Sequence, residues 1–375
     1  MMAQRSGPGY DRALFCAAAL LMLVSVVLIA SASVMESKSL YGSEFFLLKK
    51  HVASMCVALG AAFVTAMVPT RIWQRYAMHM LLLNALLLVL VLVVGRNVNE
   101  ARRWINLGVF NVQPAEFMKL CWIIYFSSFA SRKIEEVRTK IKGFLKPMVL
   151  LAVVAVLLLE EPDFGSCVVI AAICMGILWI AGSPIIYYGM ALSALAAAGI
   201  FMVVTQPYRL RRVTSFLDPW ADQFGAGYQL TQSLMAFGRG GLTGQGLGNS
   251  IQKLGYLPEA HTDFVTAILG EEAGFIGMCV VIALEFFIVV KSLRLGFGIL
   301  KNGPVFQGFV SVGIGLLFCM QTTINIGVAS GALPTKGLTL PLVSFGGSSM
   351  IVCCSAVAVL LRIDFELKHH QIDLG

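Results

Sequence analysis

Two carboxylates and a histidine lie close together in the sequence Leu-Pro-Glu-Ala-His-Thr-Asp-Phe, residues 257–264. They are Glu259, His261 and Asp263, and Asp263 stands where a polar stretch runs into an apolar one. A carboxyl group at such a boundary loses solvation, which raises its pKa toward the range that suits a general base. An aspartate at a helix start can equally cap free backbone N–H groups. The local sequence leaves both roles open for Asp263.

A second candidate pair is Glu116 and Lys119, which follow Pro114 and lie three residues apart. Proline is favoured in the first turn of a helix, and this spacing places both charges on one helix face. Such a pair can fix helix packing, or the lysine can hold a phosphate. Because charges inside a membrane normally seek partners, we favour a structural or positioning role.

Basic residues of the polar stretches could together bind a pyrophosphate. They are Arg102, Arg103, Arg209, Arg211, Arg212, Arg239, Lys253 and Lys336. The more common role of interfacial arginine is contact with lipid headgroups. The glycine-rich run 238–250 could cradle a phosphate through its N–H groups, although a tight surface loop explains it more simply. Ser348 lies in another run of small residues, which suits close helix packing.

The composition places these residues in a membrane protein. The chain is 58% hydrophobic and 13% charged, with a mean hydropathy of +0.82. These values exclude an ordinary soluble domain. The net charge of +8 is explained by basic loops at a membrane, so no nucleic acid is expected as a partner. The nine cysteines lie in or beside apolar runs without partner histidines, and therefore predict no metal site.

Ten apolar segments are long enough to cross a membrane. They cover residues 12–33, 46–68, 77–95, 114–131, 145–160, 164–181, 184–205, 264–291, 304–331 and 341–362. We therefore predict one all-α polytopic domain over 1–375, with a large extracytoplasmic loop, about 206–263, between helices 7 and 8. Lys and Arg favour the side of the amino terminus by 15 to 8 once that loop is left out. Both termini are thus expected in the cytoplasm.

Several polar residues fall inside the predicted segments. Glu271 and Glu272 lie in the eighth, and Gln321 and Asn325 are four apart in the ninth. Such a stripe suits either a water-lined cavity or hydrogen bonds between helices.

Five motifs together resemble the SEDS (shape, elongation, division and sporulation) family, over about residues 10–368. They are Pro-Ala-Glu at 114–116, Tyr-Gln-Leu-Thr-Gln-Ser at 228–233, the stretch from Gly-Leu-Gly-Asn-Ser at 246–250 to Glu272, Leu-Pro-Thr-Lys-Gly-Leu-Thr-Leu-Pro at 333–341, and Ser-Phe-Gly-Gly-Ser-Ser at 344–349. The arginine-led run 211–220 leans toward the members that act in cell division. One departure is Glu161 before Pro162 and Asp163, where the family commonly has glutamine. A second is the amino-terminal tail, which is shorter than in some division-type members.

The resemblance implies a ten-helix peptidoglycan glycosyltransferase of the bacterial inner membrane, acting at the division septum. The implied substrates are lipid II and the growing glycan strand. The implied partners are a class B penicillin-binding protein of the FtsI type and membrane proteins of the FtsQ, FtsL, FtsB and FtsN types. Asp263 matches the family's catalytic aspartate, and Glu116 and Lys119 match its glutamate and lysine.

Other roles are assigned with less specific support. His261, Ser348 and the basic residues are candidates for substrate binding or positioning. Undecaprenyl pyrophosphate leaves with negative charge, so a divalent cation, Mg²⁺ or Mn²⁺, is a further expectation, and no organic cofactor is expected. A lipid II flippase and a non-catalytic division scaffold are the alternative functions.

Overall fold

The computed structural model describes residues 9–98, 101–106, 111–205, 216–334 and 337–369. Helices dominate it. They are α1 Arg12–Ala32, α2 Val34–Tyr41, α3 Phe46–Met67, α4 Thr70–Val94, α5 Pro114–Arg132, α6 Ile134–Thr139, α7 Ile141–Glu160, α8 Phe164–Ala181, α9 Ile185–Val204, α10 Tyr228–Gly240, α11 Val265–Asn302, α12 Val305–Ala329 and α13 Gly347–Lys368. A short 3₁₀ helix covers Gln252–Leu254.

The fold is that of a polytopic membrane protein. Among the described residues, seven helices are long and apolar enough to cross a bilayer: α1, α3, α4, α7, α8, α11 and α12. The apolar part of α9 is shorter, and α5 and α13 do not meet this standard of length and apolarity. On α4, large side chains such as Leu83, Leu86 and Val93 are exposed, as expected for a surface that faces lipid.

The centre of the bundle is formed by α5, α8, α12 and α13. More than half of the apolar window of α8 and of α12 is buried, whereas only 22% of that of α3 and 28% of that of α4 is buried. On α5, Trp122 and Phe126 are fully buried, and their rings stack with centroids 6.0 Å apart. Because α5 is central, the charges on it lie inside protein.

Helix α11 is longer than its predicted segment and is kinked at Gly274, whose φ of +67° is open mainly to glycine. The loop 241–246 packs against the kink. Its N–H groups donate to the carbonyls of Glu271 and Glu272 at 2.9 and 3.0 Å, and its carbonyls accept from the N–H groups of Phe275 and Ile276 at 2.9 and 3.1 Å. The glycine-rich run therefore satisfies the backbone of a broken helix, which favours the loop interpretation over the phosphate cradle.

The prediction of one long loop over 206–263 is incomplete, because α10 and the 3₁₀ helix lie within it. A small antiparallel sheet lies between α4 and α5, with strands β1 Arg96–Val98, β2 Ala101–Asn106 and β3 Asn111–Val112 in the order β1-β2-β3. Two boundaries also differ from prediction: α7 begins at Ile141, so that Pro147 lies inside it, and α13 begins only at Gly347.

Candidate active site

Asp263 lies in the turn that precedes α11. The helix itself begins at Val265, and its cap position is Phe264, which makes no side-chain capping bond. Asp263 is therefore not the helix cap, and the capping hypothesis for it is wrong. The turn is instead closed by Glu259, whose carbonyl accepts from the Phe264 N–H at 3.2 Å and whose carboxylate accepts from the Thr262 hydroxyl at 2.6 Å.

The Asp263 carboxyl is surrounded by charges of both signs. Burial and the neighbouring Glu259 raise its pKa to about 7, with a smaller contribution from Asp163. Arg103 and His261 act in the opposite direction. A carboxyl with a pKa near neutrality can both accept a proton and release it again, as a general base must.

The segment 337–346 covers one side of Asp263. A Cβ at Gly337 would lie 2.5 Å from Oδ2 of Asp263, so only glycine permits this approach. Asn325 of α12 joins the two segments, because its side-chain N–H₂ donates to the carbonyls of Asp263, at 2.9 Å, and Leu338, at 2.6 Å. Thr266 donates to the amide oxygen of Asn325 at 3.2 Å. Asn325 therefore positions Asp263 against the 337–346 segment.

His261, two residues before Asp263, is buried and oriented from several sides. Its Nδ1 lies 2.9 Å from Oε2 of Glu36 on α2. Its ring packs edge-on against Phe345, with centroids 5.1 Å apart, and its carbonyl accepts from the Phe345 N–H at 3.0 Å. The side chain is thus held in one orientation two residues before Asp263, and its role in binding or positioning the substrate stays a prediction.

The turn between α7 and α8 supplies further charged groups. Arg103 of β2 donates to the carbonyls of Glu161, at 2.9 Å, and Pro162, at 2.5 Å. Asp163 caps α8 by accepting from the N–H and hydroxyl of Ser166 at 3.0 and 2.7 Å. Glu161 is fully buried, and burial followed by repulsion from Asp163 raises its pKa to about 8. The carboxyl of Glu161 is therefore mainly protonated at neutral pH.

Ser348 joins the start of α13 to the segment before α5. Its hydroxyl accepts from the Gln113 N–H at 2.9 Å and donates to the carbonyl of Asn111 at 3.4 Å. The Gln113 side chain in turn donates to Asp163 at 3.5 Å. Ser348 thus positions Gln113, which contacts Asp163 in the group of charged residues near Asp263.

Glu116 and Lys119 form the predicted pair one helical turn below Gln113. The two charged atoms are 2.6 Å apart, and the Lys119 side chain is fully buried. The second oxygen of Glu116 has no hydrogen-bond partner among the described residues. Because Lys119 is enclosed by protein, this geometry favours a structural role over contact with a phosphate.

The predicted cationic surface is only partly assembled. Arg102 donates to the carbonyl of Leu92 at the end of α4, at 3.2 Å. Two more basic residues form ion pairs with glutamates of α11. Arg239 of α10 pairs with Glu271 at 2.6 Å, and Lys253 of the 3₁₀ helix pairs with Glu272 at 2.8 Å. The remaining candidates lie outside the described residues: Arg209, Arg211, Arg212 and Lys336. Among the predicted cations that the structure describes, Arg103 is thus the one that lies near Asp263.

The expected divalent cation finds no complete set of ligands in the described ranges. No group of three or more His, Cys, Asp or Glu side chains comes together there in a way that could hold a metal ion. The protein residues described therefore do not fit a resident metal centre, and no chemical step is assigned to one.

These features define the class of this protein. It is a helical membrane bundle with a titratable carboxyl group in a cluster of charged residues at one end of its helices. Residues 11–369 match the FtsW/RodA/SpoVE family of cell cycle proteins, and the chain belongs to that family. It is 51% identical to the probable peptidoglycan glycosyltransferase FtsW of Aeromonas salmonicida, over 96% of this chain and 91% of the relative. Identity to the Escherichia coli O6:H1 protein of the same name is 45%, over 96% and 87%.

Solved structures agree with this assignment. A chain of a peptidoglycan synthase complex that coordinates polymerization and crosslinking superposes with a TM-score of 0.79, at 27% identity, covering 96% of this chain and 99% of that one. The rod shape determining protein RodA of Thermus thermophilus gives a TM-score of 0.70 at 25% identity, over 95% and 97% of the two chains. The predicted family is thereby confirmed.

Two residues of the site were given no role by the sequence. Glu36 lies far along the chain from His261, in a stretch whose only local signal is a charged residue just after an apolar segment. Asn325 was noticed only as part of a polar stripe on a predicted helix. The stripe did not indicate which residues Asn325 would contact.

Proposed function

We propose that this protein is a peptidoglycan glycosyltransferase that polymerises lipid II on the outer side of the inner membrane. The observation that carries the proposal is the Asp263 carboxyl, whose pKa is raised to about 7 in a cluster on the turn before α11. The names of the curated relatives support the reaction class.

In the proposed reaction Asp263 removes the proton from the sugar 4-hydroxyl of an incoming lipid II. That oxygen attacks the anomeric carbon of the growing strand, and undecaprenyl pyrophosphate leaves. An α-linked pyrophosphate becomes a β-1,4 bond, so the configuration inverts in a single displacement and one base suffices. Asn325 and Gly337 hold the base in place, and Arg103 contributes positive charge close to it.

The proposed topology has ten crossings, with α5, α9 and α13 added to the seven strongly apolar helices. Both termini then lie in the cytoplasm, and the Asp263 turn faces outward. We place the protein at the division septum with a class B penicillin-binding protein, a pairing supported by the synthase complex that the fold resembles. Lipid II and the FtsQ, FtsL, FtsB and FtsN types of protein remain predicted partners. An Mg²⁺ or Mn²⁺ requirement also stays a prediction, which loss of activity with a chelator and its recovery on re-addition of the ion would check.

The rival flippase would need polar groups free to line a path. Glu116 and Lys119 are instead bound to each other, and Glu271 accepts from Arg239 and from the backbone of the loop that follows α10. Because these side chains are bound within the protein, they are not free to line a path for a polar headgroup.

The test is polymerisation of labelled lipid II by the purified protein with its penicillin-binding partner, comparing wild type with Asp263→Ala. We expect glycan strands from wild type only. Strands from both proteins would move the base elsewhere. No strands from a folded complex, together with transbilayer movement of lipid II that survives the substitution, would favour the flippase.

A further inference from the structure

The 337–346 segment that covers Asp263 contains a strained turn. The turn is closed by the Val343 N–H, which donates to the Leu340 carbonyl at 3.2 Å. Leu342, at its third position, has a φ of +57°, a backbone conformation that glycine usually adopts there. Leu342 is nevertheless buried. A bulky residue in this conformation persists only where the surrounding structure holds it.

Two buried side chains of other helices hold the carbonyl that follows the strained residue. The Ser25 hydroxyl of α1 donates to the Val343 carbonyl at 2.6 Å, and Nε2 of His51 on α3 lies 2.8 Å from the same hydroxyl oxygen. A serine hydroxyl carries a single hydrogen, so the Ser25 oxygen must accept from His51, and Nε2 of that ring is the donor. Ser25 is fully buried and His51 is 1% exposed, so both bonds are shielded from bulk water.

His51 also contacts the segment directly. Its ring lies 5.7 Å, between centroids, from that of Phe345. The Phe345 N–H donates to the carbonyl of His261 at 3.0 Å and so joins the segment to the turn that contains Asp263. His51 therefore supports the segment at two points, through Ser25 and at Phe345.

The segment is held from two sides. It lies outside the helices and strands, so its buried carbonyls depend on side chains for donors. Asn325 of α12 donates to the Leu338 carbonyl at 2.6 Å, and Ser25 supplies the donor at Val343 from α1. The strained turn lies between these two bonds, and loss of either one would free it on one side.

We propose that Ser25 and His51 are positioning residues that hold the 337–346 segment against Asp263 by fixing the strained turn. The inference rests on the proposed function, because it assigns the two residues a purpose in the same reaction. Both act through the backbone of the segment and not by contact with the substrate. When the Val343 carbonyl loses its donor, the turn can relax, and the segment moves relative to the base. Displacement of the groups around a reacting atom slows the reaction.

The direct test is amide hydrogen exchange, followed by mass spectrometry, in the full-length protein reconstituted in lipid nanodiscs. Ser25→Ala and His51→Phe should each speed exchange in residues 340–346 by about tenfold, with α12 unchanged. Phenylalanine keeps a ring beside Phe345 but has no donor for Ser25. Unchanged exchange in both variants would overturn the proposal, and either variant alone carries the test if the other does not fold.

The matched control is Ser292→Ala. Ser292 is also fully buried, and its hydroxyl donates at 2.6 Å to a carbonyl of another helix, that of Ser311. It lies near the opposite end of α11 from Asp263. Ser292→Ala should therefore leave exchange in residues 340–346 as it is in wild type. An equal increase in the control would show a general loosening of the bundle and contradict a specific role for Ser25.

The second readout is steady-state polymerisation of lipid II with the penicillin-binding partner. Ser25→Ala and His51→Phe should lower kcat about tenfold and change KM by less than about twofold. His51→Gln should recover most of kcat, because its amide nitrogen can donate to Ser25. A His51→Gln variant no more active than His51→Phe would contradict the donor role of Nε2.

The two readouts separate the inference from the function on which it rests. Faster exchange in residues 340–346 with an unchanged kcat would contradict the positioning role. A wild type that forms no glycan strands would refute the proposed function, and with it the purpose assigned to Ser25 and His51, while the exchange experiment would still show whether they fix the turn.

Discussion

The carboxylates on either side of the start of α11 have opposite surroundings. Glu271 and Glu272, within the helix, are buried and bound: Glu271 accepts from Arg239, Ser250 and the Ile251 N–H, and Glu272 from Lys253. Asp263, in the preceding turn, has charges of both signs around it, and no donor among the described residues bonds to its carboxylate. The same chemical group is thus bound by hydrogen-bond donors in one place and has a pKa near neutrality in the other.

The surroundings of a carboxylate therefore distinguish a structural role from a catalytic one more clearly than its residue type does. A buried carboxylate with charge-assisted hydrogen bonds is costly to disturb but has no capacity left for a substrate. A carboxyl kept from such partners retains its affinity for a proton and pays for it in stability. Glu116 and Lys119 belong with the first kind, although the sequence alone could not exclude the second.

The largest effect is expected at the buried pair of α5. Lys119→Met leaves Glu116 unpaired inside the bundle, which should cost about 3–5 kcal/mol of folding free energy. Thermal unfolding of the purified protein measures this. The double variant Glu116→Gln with Lys119→Met should recover most of the lost stability. A stable double variant without polymerase activity would contradict the structural assignment and give Lys119 a direct role.

Asn325→Ala should affect the reaction more than the fold. The Asp263 turn and the 337–346 segment lose their shared donor, and displacement of a catalytic group by about 1 Å can lower kcat by about a hundredfold. Steady-state rates with lipid II provide the measurement. Asn84→Ala, at a buried asparagine of α4, is the control and should leave kcat unchanged. Equal losses in both variants would mean that Asn325 has no special position.

Asp163→Asn tests the like-charge neighbours of Asp263. The negative charge of Asp163 raises the pKa of Asp263, so its removal should lower that pKa. In wild type the base is lost as the pH falls through about 7, and in the variant it should persist to lower pH. Asparagine can still cap α8, which limits the effect on stability. The acidic limb of the pH–rate profile should therefore shift to lower pH. An unshifted limb would contradict the electrostatic effect of Asp163 on Asp263.

The smallest contrast concerns two adjacent arginines. Arg103→Gln should raise the pKa of Asp263 and slow polymerisation about two- to fivefold at neutral pH. Arg102→Gln, which affects only the end of α4, should change stability by no more than about 0.5 kcal/mol and leave the rate unaltered. Parallel rate measurements at neutral pH distinguish the two residues. The reverse ranking would assign the cationic role to Arg102.

Local pattern predicted the parts of this molecule that depend on local physics. Long apolar runs gave the membrane class, and the spacing of Glu116 and Lys119 gave their pairing. The kink of α11 escaped prediction because Gly274 looks like any glycine in a helix until the loop 241–246 packs against it. Glycine density in that loop suggested a phosphate cradle, although its purpose is close contact with another backbone.

The central residue of the site was predicted from the sequence, but two residues that contact the Asp263 turn from other helices were not. Asp263 was recognisable from its position at the boundary of an apolar segment and from the family motif around it. Glu36 and Asn325 contact the Asp263 turn from helices distant in the sequence, and periodicity carries no information about such contacts. The alternative role of Asp263 as a helix cap was wrong, because the helix begins two residues later.

The most direct measurement compares Asp263→Asn with Glu271→Gln for both thermal stability and lipid II polymerisation. Each substitution replaces a carboxylate by its amide at nearly constant volume. Asp263→Asn should fold at least as well as wild type above about pH 7, because this partly desolvated position then holds no ionised carboxylate, and should form no strands. Glu271→Gln should be less stable yet polymerise normally per folded molecule. An active Asp263→Asn, or a stable but inactive Glu271→Gln, would contradict the assignment of Asp263 as the base.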